Sequence, residues 1–182
     1  MFYANIDRLS GVNLKPTMRH IISILLQNEA GALSRVSNLF SSRGYNIESL
    51  NVAPTADSTI SRLTLVSQGS EDVIDQICKQ LGKVVDVVAI TDLTSFDHIE
   101  REFALFKINL NGGSREALES AIADFNARIL DDSQSHYTIE CIGGSQEIDR
   151  FIDGIAGTGE LTTVVRSGAM AVARGAPVFG RG

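Results

Sequence analysis

The stretch His20-Ile21-Ile22-Ser23-Ile24-Leu25-Leu26-Gln27-Asn28-Glu29-Ala30-Gly31-Ala32-Leu33-Ser34-Arg35-Val36-Ser37-Asn38-Leu39-Phe40-Ser41-Ser42-Arg43-Gly44 decides the fold. Its first eight residues are almost continuously apolar, as in a strand covered on at least one face. That run stops at Asn28-Glu29-Ala30-Gly31. Beyond it the spacing changes: Ala32, Leu33, Val36, Leu39 and Phe40 recur with helical period, while Arg35, Ser37, Asn38 and Ser41 fall on the opposite face. Gly44 supplies a helix stop.

Downstream, the spans 46–52 and 60–66 read as strands joined by Pro54-Thr55-Ala56-Asp57-Ser58, a hairpin in which Leu63 and Leu65 alternate with Arg62 and Thr64. Ser70 is an expected N-cap followed by Glu71 and Asp72 in the first helical turn. Val73, Ile74, Ile77 and Leu81 make the apolar stripe, Gly82 closes it, and 84–90 is a fourth strand. Strand, helix, strand, strand, helix, strand is the split βαβ order of ferredoxin-like folds.

The second half repeats this order. Phe106, Ile108 and Leu110 alternate with polar residues, and Ser114 opens a helix bearing Ala117, Leu118, Ala121, Ile122 and Phe125. Spans 128–130 and 137–142 flank Asp131-Asp132-Ser133-Gln134-Ser135. Ser145 starts a helix with Ile148, Phe151, Ile152 and Ile155, and 161–165 closes the pattern. The reading is an α+β chain with two ferredoxin-like βαββαβ domains in tandem: an extension over 1–17, a first domain over 18–93, a polar linker over 94–102, a second domain over 103–175 and a loose tail over 176–182.

Composition narrows the function classes. With 43% hydrophobic residues and three prolines in 182, the chain has material for packed cores, which excludes a disordered or collagen-like protein. A net charge of -6, from 16 basic and 22 acidic residues spread along the chain, argues against a nucleic-acid partner, which needs a basic surface. Cys78 and Cys141 lie far apart and read as buried free thiols. No apolar window approaches the roughly 20 residues that span a bilayer. Met1 to Thr17 holds Asp7, Arg8 and Lys15 but no apolar targeting core. The expected location is the cytoplasm, with no membrane contact.

No catalytic or metal-binding constellation emerges. His20, His98 and His136 each lack a neighbouring ligand or nucleophile and are expected at the surface or at strand ends. Gly112-Gly113 and Gly143-Gly144 match no phosphate-binding motif and read as turns. Asp131-Asp132 reads as a solvated turn. One segment differs: Asn28-Glu29-Ala30-Gly31-Ala32-Leu33 lies where a strand ends and a helix begins. The first amides of a helix lack intrahelical partners and its dipole favours negative charge, so a carboxylate fits there. Gly31 leaves room for the approach, and the Asn28 amide offers a donor and an acceptor. On spacing alone, a plain cap at Asn28 and a plain turn at Gly31 outweigh this reading.

Arg19-His20-Ile21-Ile22-Ser23-Ile24, Asn28-Glu29-Ala30-Gly31-Ala32-Leu33-Ser34-Arg35-Val36 and Arg43-Gly44-Tyr45-Asn46-Ile47-Glu48-Ser49-Leu50-Asn51-Val52 together resemble the small regulatory subunits of acetohydroxyacid synthase, also called acetolactate synthase. The resemblance continues through Ser61-Arg62-Leu63-Thr64, Glu100-Arg101-Glu102 and Val165-Arg166-Ser167-Gly168, covering 18–175. It leaves the extension and the residues after Gly175 without a counterpart or an expected regulatory role.

The resemblance implies that the first domain is an ACT domain and that the chain has no catalytic site of its own. It implies homodimerisation through ACT domains, activation of a catalytic large subunit and feedback inhibition by a branched-chain amino acid, usually valine. The effector site it implies comprises Asn28, Gly31, Ala32 and Leu33 of one chain, with Asn46 and Ile47 from the facing chain. Thiamine diphosphate, magnesium and FAD would belong to the large subunit, and none to this chain. An ACT-containing transcriptional regulator or amino-acid sensor without an enzyme partner is the rival reading; it would need a basic helix-turn-helix, and none is visible. A small enzyme on the same fold would need a catalytic constellation.

Overall fold

Alternation along the strands sets which face of each sheet is dry. In the computed structural model, which describes residues 17–179, the first half comprises β1 (Met18–Gln27), α1 (Ala32–Ser42), β2 (Ile47–Pro54), β3 (Ile60–Gly69), α2 (Glu71–Leu81) and β4 (Val87–Asp92). The second comprises β5 (His98–Asn109), α3 (Arg115–Asp124), β6 (Arg128–Asp131), β7 (His136–Gly143), α4 (Ser145–Ile155), β8 (Glu160–Arg166) and β9 (Met170–Ala173). The sheet orders are β2-β3-β1-β4 and β6-β7-β5-β8, the same antiparallel arrangement twice. Both ferredoxin-like repeats expected from the periodicity are present.

Each repeat has its own core. Ile22 sits opposite Leu65 and Ile24 opposite Leu63, and this face receives Ala32, Val36 and Phe40 of α1 and Ile74, Ile77 and Leu81 of α2. In the second repeat Ala104, Phe106, Ile108 and Ile139 receive Leu118 of α3 and Ile148, Phe151 and Ile155 of α4. The Phe151 ring meets Phe106 edge-on at 5.0 Å and Phe125 at 5.5 Å. Helix starts follow their residues: Ser114 Oγ accepts the Ala117 amide at 3.1 Å, and Glu71 and Asp72 occupy the first turn of α2, although the Ser70 side chain makes no cap bond.

Several boundaries differ from the sequence reading. The polar span 94–102 is ordered: a 3-10 turn at Leu93–Ser95 leads into β5, which begins at His98. Its charged residues tolerate a strand because distant partners meet them. Arg166 forks onto both oxygens of the buried Glu102 at 2.8 Å, and Arg19 forks onto Glu100 at 2.7 and 3.0 Å. Burial pushes the Glu100 carboxyl up, but bonds from Arg19 and Ser145 together outweigh it and hold the group low.

The four-residue β9 was not foreseen. It pairs with His98, Ile99, Glu100 and Arg101 of β5 and lays Ala169 and Ala171 with Leu93 against Ile21 and Val66, on the face of the first sheet away from the helices. The fourth strand starts at Val87 rather than at 84, because Val84 to Val87 forms a turn closed by Val87 N–H on the Val84 carbonyl at 3.0 Å.

His20, expected at the surface or at a strand end, is the third residue of β1 and is buried, its Nδ1 2.7 Å from Asp92 Oδ2 across β1 and β4. The tail is not wholly loose, since the Phe179 ring sits 5.3 Å below the Arg62 guanidinium. Residues 1–16 of the extension and 180–182 of the tail lie outside the described residues. Among the described residues no helix is long and apolar enough to cross a membrane.

Candidate functional site

The passage from β1 into α1 is tied to its surroundings at three points. Gln27 N–H donates to the Asp86 carbonyl at 2.8 Å, Asn28 N–H donates to the Thr59 carbonyl at 2.7 Å, and the Asn28 side-chain amide donates to the Ser58 carbonyl at 2.9 Å. Asn28 is therefore a tie to the β2–β3 turn and not the helix cap. The N-cap is Gly31, at φ 86°, a left-handed conformation that costs an L side chain roughly 1–2 kcal/mol. The Ala32 amide reaches the Glu29 carbonyl at 3.2 Å. Among the described residues no side chain caps the following amides of Leu33 and Ser34, and no acidic residue stands in the first turn. With the helix dipole behind them, these amides form a place for an anion.

Beneath this turn Arg35, which the sequence reading placed on the face of α1 opposite its apolar stripe, enters an ion pair. Arg35 Nε and Nη2 donate to Asp86 Oδ2 and Oδ1 at 2.5 and 2.7 Å. The Asp86 side chain is 4% exposed, against 47% for Arg35. The fork from Arg35 holds the Asp86 carboxyl below the ordinary carboxylate range and raises the Arg35 guanidinium in turn. A signal was available: Arg35 stands four residues after Gly31, one helical turn below it.

The residues implied as an effector site fall into two groups. Asn28, Gly31 and Leu33 are exposed on the β1–α1 turn, while the Ala32 methyl is buried in the core, so that Ala32 has only its backbone to offer. Asn46 and Ile47 lie past the other end of α1: the Asn46 carbonyl accepts from Ser67 Oγ at 2.7 Å and Ile47 packs on the first core. An eleven-residue helix separates the groups by about 16 Å within one chain. One chain therefore does not bring them together.

A cavity of about 340 Å³ opens beside the turn, lined by Gln27, Asn28, Glu29, Ser58, Thr59 and Ile60. A larger one of about 540 Å³ lies between the two repeats, but the arginines at its wall, Arg19 and Arg166, are consumed by Glu100, Glu102 and Asp149. Cys141 is buried, and Cys78 is half-buried with its thiol pushed up to about 11, by burial first and then by Asp92 and Asp75, so it is not poised as a nucleophile. Among the described residues no three His, Cys, Asp or Glu side chains are grouped to hold a metal.

Residues 22–89 match the family model described as the AHAS small subunit-like ACT domain, and residues 101–175 match the one described as the small subunit of acetolactate synthase. The chain belongs to the acetolactate synthase small-subunit family. It is 46% identical over 158 residues to the acetolactate synthase isozyme 3 small subunit of Escherichia coli (strain K12), covering 87% of this chain and 97% of that one. Identity to the Haemophilus influenzae acetolactate synthase small subunit is 45% over the same length, with the same coverage of both chains. The crystal structure of the Thermotoga maritima acetolactate synthase small subunit superposes with a TM-score of 0.79 at 31% identity, covering 87% of this chain and 99% of that one. As a small subunit of acetolactate synthase, the chain has a regulatory role, with the catalytic site carried elsewhere in the holoenzyme. The first repeat, with its open α1 N-terminus, is the ACT domain.

Proposed function

We propose that this small subunit binds a branched-chain amino acid, valine foremost, at the β1–α1 turn, and that it activates the catalytic large subunit while subjecting it to feedback inhibition. The supporting observation is the uncapped start of α1 behind left-handed Gly31, in a domain whose family regulates acetolactate synthase. The effector carboxylate accepts from the Leu33 and Ser34 amides, each charge-assisted bond contributing about 1.5–3 kcal/mol. Asn28 and a second copy's Asn46 hold the polar end, and Leu33 with that copy's Ile47 receives the side chain. One methylene in such a pocket is worth about 1–3 kcal/mol, so valine, leucine and isoleucine are partly discriminated.

The strand order supports a two-chain site. β2 is an edge strand, and β2 runs parallel to β1, so its last residues lie at the same end of the sheet as Gly31. Pairing two β2 edges antiparallel places the start of one β2, with Asn46 and Ile47, beside the other chain's β1–α1 turn. An effector bridging two chains biases their arrangement, a coupling of about 1–3 kcal/mol. In this reading 18–93 is the sensing domain and 103–175 a second domain joined to it, and the subunit acts in the cytoplasm. Thiamine diphosphate, magnesium and FAD reside on the large subunit.

Reconstitution with a thiamine-dependent large subunit tests this. Activity should rise when the small subunit is added and fall when valine follows. Activity unchanged by either addition would refute the proposal.

A further inference from the structure

The Arg35–Asp86 pair occupies an unusual place for a surface ion pair. A cation in the first turns of a helix is opposed by the helix dipole, so an arginine there is not explained by helix stability. Exposed pairs of this kind contribute little in general. Here, however, one partner is buried: Asp86 is sunk under the turn, with its carbonyl taken by Gln27 N–H at 2.8 Å and both carboxylate oxygens taken by Arg35. The fork is planar and fixed, and it presents Arg35 Nη1 3.0 Å from where a Cβ on Gly31 would stand. The guanidinium thus occupies the space that a side chain at position 31 would need. The pair joins the last residue of β1, the approach to β4 and the left-handed turn, the three pieces that aim the open amides of α1.

We infer that Arg35, clamped by Asp86, is a positioning residue for the effector site: it sets the Gly31 turn so that the Leu33 and Ser34 amides converge on a carboxylate. The inference rests on the proposed amino-acid site. Lysine cannot substitute, because a point charge on a flexible stem has neither the fork that Asp86 accepts nor a planar group held in place beside Gly31. Asparagine at 86 keeps the shape of the aspartate but cannot receive two guanidinium N–H groups.

The test compares valine with valinol, which has the same side chain and amine but a hydroxymethyl group in place of the carboxylate. Calorimetry on the full chain should show the wild type preferring valine by about 10-fold or more, as one charge-assisted bond predicts. In Arg35→Lys and in Asp86→Asn the valine Kd should rise at least about 10-fold while the valinol Kd changes little, so that the preference collapses towards unity. A general loss of structure would weaken both ligands alike, and thermal melts of each variant without ligand identify that case. A preference retained at the wild-type ratio in both variants, or both ligands weakened equally in folded variants, overturns the role of Arg35. Failure of the wild type to bind valine at all overturns the amino-acid site itself, and this inference with it.

Discussion

The same junction is built twice in this molecule and finished in opposite ways. In the first repeat the strand-to-helix turn ends on Gly31, with no side-chain cap on α1, no acid in its first turn and Arg35 beneath it. In the second repeat the matching turn, between β5 and α3, is closed from within. Ser114 Oγ takes the Ala117 amide, Glu116 stands in the first turn, Ser114 N–H donates to the Thr158 carbonyl at 3.1 Å, and Leu110 N–H donates to the Ser135 carbonyl at 2.9 Å. A negative ligand meets satisfied donors and a like charge there. One topology therefore yields a site or a plain joint according to a few side chains, which is why a fold by itself does not state a function.

The contrast can be broken most sharply at the first turn. Gly31→Asp places a carboxylate where the effector's should sit, on a left-handed backbone; it should abolish valine inhibition of the reconstituted holoenzyme, removing two charge-assisted bonds worth about 3–6 kcal/mol. Inhibition surviving at wild-type valine concentrations would show that the open turn is not the site. Gly113→Ala probes the closed turn, where a Cβ would stand 1.9 Å from the Thr158 carbonyl oxygen. Crowding against rigid backbone should cost about 3 kcal/mol, seen as a lower urea midpoint; an unmoved midpoint would mean that the turn is roomier than described.

Smaller changes sharpen the comparison. Ser114→Ala should lower stability by about 1 kcal/mol through loss of the cap, with valine affinity untouched; altered affinity would mean that the two repeats are coupled. Acid titration separates them further. Arg35 holds the Asp86 carboxyl below its unfolded value, so the stability this pair adds is complete above the ordinary carboxylate pKa of about 3.9. It drains away as pH falls through the lowered folded-state value. Melting temperatures followed from about pH 5 downwards should therefore fall less steeply in Asp86→Asn than in the wild type, and identical slopes would dissociate Asp86 from acid sensitivity.

Much of this was legible along the chain. Ile22, Ile24 and Leu26 against Ala32, Val36 and Phe40 declare a strand and then a helix, since each pattern repeats within a few residues, and Gly31 marks the turn for the same local reason. The span 94–102 read as a polar linker because Arg19 and Arg166, the partners that let Glu100 and Glu102 enter a strand, come from distant segments. His20 misled in the same way, its partner Asp92 being 72 residues on. Arg35 looked like a solvent-facing residue because Asp86 is 51 residues away, in a span that itself resembled a strand.

Local periodicity by itself thus determined the order of the elements of both repeats, the two dry faces and the turn that leads into α1. Tertiary structure alone decided which charges are buried, what β9 covers and which of two equivalent helix starts stays open. The physical reason is range: apolar period is written in neighbouring residues, whereas a buried charge becomes tolerable only when the fold delivers its partner from elsewhere in the chain.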